Sequence, residues 1–162
     1  MKLRRVSAFG LTLLLTLAAG RTAVAQQQPA GAPVPPAILS AKTIFISKAS
    51  GYSFVPMVTA DQPYNEFYAA MKDWGRYQVV GSPTDADLII EIRLECASGP
   101  CNWGLEATIL DPKTHAILWV CAETVQYAAR IKTNPKNFDK SMAALVADLK
   151  ALSGSAGAAS QP

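Results

Sequence analysis

Residues 88–96 read LIIEIRLEC, and apart from Ile89 they alternate. Leu88, Ile90, Ile92, Leu94 and Cys96 fall on one side of an extended chain, and Glu91, Arg93 and Glu95 on the other. A strand with one apolar side needs strands beside it and a second layer above it. The chain supplies that layer as two one-striped helices. In PYNEFYAAMKDWG, Tyr64, Phe67, Tyr68, Met71 and Trp74 recur at helical spacing, with Pro63 suited to the first turn and Gly75 to the C-terminal cap. In NPKNFDKSMAALVADLKALSG, Phe138, Met142, Leu145, Val146, Leu149 and Leu152 form the stripe, with Asn134 as the expected cap. Burying those six side chains is worth on the order of 10 kcal/mol gross, most of it offset by chain entropy.

The remaining strands are KTIFIS (42–47), RYQVVG (76–81), NWGLEATIL (102–110) and AILWVCAETVQYA (116–128). The last is apolar on both faces at Leu118, Trp119, Val120 and Cys121, which predicts a place inside the sheet. SPTDAD and DPKTH are turns, Pro112 being preset for the second position of its own. The expected fold class is α+β, in the order β-α-β-β-β-β-α. It is a two-layer sandwich in which a mixed sheet of about five strands carries two helices on one face. The first strand–helix–strand unit suits a parallel crossover, and the last three strands a meander. Phe45, Val80 and Leu110 are then candidates for the open face.

The ends of the chain read differently. Lys2, Arg4 and Arg5, the apolar run Ala8–Ala19 and the small-x-small site Ala23-Val24-Ala25 have the form of a secretory signal peptide over 1–25. Residues 26–40 are a Pro- and Gln-rich linker expected to be disordered, 41–153 a single domain, and 154–162 a disordered tail. The whole chain has 15 Lys and Arg against 12 Asp and Glu; taking away the four basic residues of 1–25 leaves 11 against 12. The basic excess thus belongs to the leader, and a nucleic-acid partner loses its support. The expected location is periplasmic or extracellular, with no membrane span in the mature chain.

An oxidising compartment favours paired thiols. Taking 88–96 and 101–110 as hairpin arms sets Cys96 opposite Cys101 across a four-residue loop, where a disulfide would close with modest adjustment. Cys121, inside an apolar strand, is expected to stay a buried thiol. A zinc site of Cys96, Cys101, His115 and Cys121 has the right ligand types but loose spacing, with His115 at the far end of the hairpin. A redox role would want C-x-x-C at a helix start. Asp85 and Asp87 read as turn chemistry. No nucleophile elbow or Gly-rich phosphate loop is present, so no catalytic residue, cofactor or metal is expected. Arg130, Lys132, Lys136 and Lys140 gather near a helix N-terminus and form a candidate anion or partner patch.

The stretches WGRYQVVGSPTDADL and ILDPKTHAILW resemble a group of small exported proteins of acidobacterial type and uncharacterised function, over nearly the whole of 41–153. More distantly, the element order is similar to envelope assembly domains such as the TolB amino-terminal domain. The resemblance implies an envelope or secreted location, possible envelope protein partners, and no known activity. Two function classes stay open. One is a non-catalytic binding or envelope-assembly module; the other is an enzyme with a site in the 52–62 loop or near 130–136.

Overall fold

Strand β3 (Leu88–Cys96) lies in the middle of a five-stranded sheet ordered β2-β1-β3-β4-β5. The computed structural model describes residues 32–49, 58–96 and 103–154, and the described residues from Pro33 onward form one compact unit. Parallel to β3 runs β1 (Thr43–Lys48), and parallel to β1 runs β2 (Gln78–Val79). On the other side β4 (Trp103–Leu110) and β5 (Ile117–Val125) complete an antiparallel meander. Helix α2 (Gln62–Trp74) joins β1 to β2, and helix α3 (Asn134–Gly154) comes after β5. They pack on each other and on the same side of the sheet. The fold is the expected α+β arrangement.

Local chemistry explains the elements. Pro63 sits in the first turn of α2, and Gly75 stops the helix in the left-handed region at φ 67°, donating its N–H to the Met71 carbonyl. Phe67 and Met71 are fully buried, while Tyr64, Tyr68 and Trp74 pack against the core from its margin. All six residues of the α3 stripe are buried. They share one core with Ile44, Ile46, Ile90, Ile92, Leu105 and Ile109, the covered face of the three inner strands.

Three features differ from expectation. Pro36–Ser40, counted within the disordered linker, forms a helical turn, α1. Ile38 anchors it at 1 % exposure, and the Tyr77 hydroxyl and Arg76 guanidinium reach its Ile38 and Leu39 carbonyls. Ile38, with Val34 packed beside the core and these carbonyl contacts, docks the proline-rich segment. Asn134 does not cap α3. Its Oδ1 accepts from the Ala128 N–H, tying the β5–α3 connection to the helix start. Strand β5 is an edge strand, not an interior one. Its second apolar face is partly in water, with Ile117 65 % and Val120 44 % exposed.

The sheet begins at a polar clamp. Asp87 Oδ2 accepts from the N–H groups of Lys42 and Thr43, the Thr43 hydroxyl donates to the Asp85 carbonyl, and the Asp87 N–H donates to Thr43. The backbone donors of Lys42 and Thr43 hold the Asp87 carboxyl below its ordinary value of 3.8. A lowered folded value means the unfolded chain binds the proton more readily, so the contribution is complete above the ordinary carboxylate range. It fades as pH falls through and below that range. Asp87→Ala should destabilise the fold by about 1 kcal/mol, a modest figure because the carboxylate is solvated. The gap from wild type in urea unfolding should shrink between pH 6 and pH 3. A gap independent of pH would show that the charge contributes nothing. In the core, Phe67→Ala should cost about 3–5 kcal/mol in the same measurement.

Candidate functional site

The helices occupy one face of the sheet, and register fixes what the other presents. One row runs Phe45–Ile89–Leu110–Ile117 across β1, β3, β4 and β5. Val80, one residue past β2, extends it, its N–H donating to the Ile44 carbonyl. Ile89 is buried between its neighbours, whereas Phe45, Val80 and Leu110 are half-buried and Ile117 is exposed. A bulge between Ile109 and Leu110 aims Ile117 at Leu110 by skipping Leu118.

Beyond this apolar row the face turns polar. Ser47, Glu91 and Thr108 lie side by side, then Arg93 opposite Glu106, then Glu95 beside Gly104. Arg93 pairs with Glu95 at 3.5 Å, and Thr108 donates to Glu106 at 2.9 Å. Three glutamates against one arginine leave this half of the face acidic. Two of its polar atoms, Ser47 Oγ and Arg93 Nε, are shielded from water without a hydrogen-bond partner among the described residues. The sequence places Phe45, Val80 and Leu110 correctly on this face. Ile89 and Ile117 join them only through register, which strand alternation alone does not supply.

Two concavities lie elsewhere, and a small cavity beside β1 and β3 has Ala60, Pro63 and Tyr64 in its lining. A groove of about 770 Å³ separates β5 from α3, lined by Ala122, Glu123 and Thr124 on one wall and Lys140, Ser141 and Ala144 on the other. Its polar groups are partly spent on the backbone: the Ser141 hydroxyl donates to the Thr124 carbonyl, and the Asn137 amide to the Gln126 carbonyl. A shallower trough of about 850 Å³ lies between α2 and α3, with Met142 and Val146 in its floor and Glu66, Asp73 and Asp139 on its rim. Neither concavity is built from the 52–62 loop or from 130–136, the two places where the sequence could hide an enzyme site; residues 52–57 lie outside the described residues.

Of the basic patch, Arg130 and Lys132 are exposed in the connection before α3, and Lys136 and Lys140 are exposed one turn apart on the helix. Only Lys140 reaches the groove wall. Asp111, expected simply as part of a turn, organises the β4–β5 turn: its Oδ1 accepts from the N–H groups of Lys113 and Thr114 and from the Thr114 hydroxyl. These donors lower its pKa, the Thr114 N–H contributing most. His115 ends this turn at φ 56°.

Cys121 is buried on the helix-covered face, opposite Ala107, and is a free thiol; burial, helped by the charge of Asp148, pushes its pKa up to about 11. Such a thiol is inert. The last described pair of the β3–β4 hairpin is Cys96 opposite Trp103, a register two places from the expected opposition of Cys96 and Cys101. A shift of two keeps every side chain on its face, and it lets the indole fill the core margin, where Trp103 is buried. Cys101 lies outside the described residues, so its bond to Cys96 stands as an expectation. Among the described residues no three His, Cys, Asp or Glu side chains are grouped to hold a metal ion. His115 and Cys96 fall at opposite ends of the hairpin strands.

No family model matches the chain, and no curated protein matches it in sequence. Among solved structures, a PelC dodecamer from Paraburkholderia phytofirmans is similar at TM-score 0.48 and 13 % identity, covering 67 % of this chain and 88 % of that one. A DUF330 protein from Xanthomonas campestris gives 0.46 and 13 %, covering 68 % and 81 %. An uncharacterised lipoprotein B from Nitrosomonas europaea gives 0.43 and 16 %, covering 75 % and 87 %. No family and no activity is assigned from likenesses at this level.

Thiol counting tests the cysteine assignment. Protein purified without reductant should give no fast-reacting thiol when folded, one after denaturation, and three after denaturation with reductant. Three without reductant would remove the bridge, and a fast native reaction would contradict the burial of Cys121.

Proposed function

We propose that this chain is an exported binding or assembly module of the cell envelope that offers the open face of its sheet to a protein partner. The observation behind this reading is the apolar row Val80, Phe45, Ile89, Leu110 and Ile117, which lies on the face opposite α2 and α3. Apolar surface kept at a solvent-facing site marks a partner surface. The neighbouring Glu91, Glu95 and Glu106 define the partner's chemistry: an apolar patch edged by basic side chains, so that the acidic half-face is neutralised on docking. Export rests on the leader-like residues 1–25 and on the resemblance to envelope proteins. Among the described residues no helix is long and apolar enough to cross a membrane.

The test is selective capture from envelope extracts of the source cells. Leu110→Lys, which plants a charge in the row, should reduce recovery of a discrete partner at least tenfold while leaving the thermal melt within a few degrees. Lys140→Glu, on the helix side, should retain the partner. Equal recovery with all three proteins, or loss only with Lys140→Glu, would refute the open face as the docking surface. Turnover of a small substrate that survives Leu110→Lys would favour the enzyme reading instead.

A further inference from the structure

We propose that two copies of this chain pair antiparallel through the N-terminal half of β5, joining their sheets into one. In an antiparallel edge strand, alternate residues direct both N–H and C=O away from the sheet. Ser141 on α3 donates to the Thr124 carbonyl, which places Thr124 in the outward set, and Ala122 and Val120 join it by the two-residue period. Asn137 closes the Gln126 carbonyl in the same way. Thus α3 satisfies the outward edge at the C-terminal end of β5. It leaves the outward groups of Val120 and Ala122 without a partner among the described residues.

Sheet edges are ordinarily blunted by shortness, proline, lysine or a bulge. The opposite edge fits that pattern: β2 has two residues and runs into Gly81-Ser82-Pro83. β5 has nine residues without lysine or proline, and its charge is confined to Glu123. Its bulge lies at the extreme N-terminal end, and the stretch beside it exposes Ile117 and Val120.

Complementarity identifies the occupant. Residues 117–122 carry no charge, so pairing desolvates none, provided the incoming strand is uncharged and has free outward groups of its own. A second β5 meets both conditions and, turned about a two-fold axis, meets itself antiparallel. Such an interface is isologous and closed; the short β2 edge gives no site for further growth. Because α3 occupies the C-terminal half, the overlap is confined to the N-terminal halves, with Val120 beside the axis and Leu118 opposite Ala122 of the second copy. A contact this short falls below about 1,200 Å², in the range of weak, concentration-dependent association.

Sedimentation velocity over a concentration series on the purified mature protein tests this. Wild type should pass from monomer to dimer as concentration rises. Val120→Lys, which sets two ammonium groups face to face, should raise the dissociation constant at least about 100-fold, whereas Ile131→Lys should leave it unchanged. Where Val120→Lys perturbs folding, Val120→Cys serves instead: opposed cysteines at the axis should form an intermolecular disulfide under mild oxidation, and Glu106→Cys should not. A wild type that stays monomeric throughout, a dimer indifferent to Val120→Lys, or cross-linking equal for the two cysteine variants would overturn the proposal. The first outcome would leave the edge to a peptide of another protein.

Discussion

Strand β3 carries the fold because it joins the two halves of the sheet in opposite senses. It is parallel to β1, whose crossover brings in α2, and antiparallel to β4, which leads through β5 to α3. Its apolar side, Leu88 to Leu94 at every second residue, is the surface where the two halves share one core. Immediately before its first residue stands Asp87, whose carboxylate grips the start of β1. Loss of alternation in this strand would leave two helices without a common floor, whatever their own amphipathicity.

Helix α3 solves a covering problem and creates another. Twenty-one residues make a rod of about 30 Å. Its first turns lie over β5, where Ser141 and Asn137 satisfy outward carbonyls. Its last turns reach the other helices: Lys150 lies over the Trp74 ring at 5.7 Å, and Leu149 and Leu152 share the core with Ile38. The outward edge groups in the N-terminal half of β5 have no such cover from α3 among the described residues.

What could be read from the sequence divides along the same physical line. Helical stripes report one direction of burial, and both helices, the Pro63 and Gly75 boundaries and every stripe residue of α3 were legible from spacing alone. Alternation in β3 and β4 also fixed which residues face the helices. Position within the sheet was not legible. Apolar residues on both sides of β5 suggest burial on both sides, yet the same pattern arises at an edge that keeps Ile117 and Val120 in solvent. Hairpin register was missed by two because alternation is blind to even shifts; the buried Trp103 decided it. The docking of α1 was missed because a single apolar side chain, Ile38, has no periodicity to detect. Of the candidate site, Phe45, Val80 and Leu110 were readable, while Ile89 and Ile117 needed the register and the bulge.

The open face and the β5 edge are geometrically linked but chemically separate. Ile117 ends the apolar row at one end of β5, while Glu123 lies toward the other end, opposite Leu105. With Val120 beside a two-fold axis, the Ile117 residues of the two copies would fall on opposite sides of it, and the pairing ends before Glu123. The two apolar rows would then be staggered along the strands by about 20 Å, six residues at the strand rise. Pairing would leave each row intact and set two identical surfaces, pointing the same way, on one rigid sheet. A partner that repeats its own binding patch would meet the second row at a high effective concentration. A modest row of half-buried side chains, weak when met singly, is then sufficient for firm attachment.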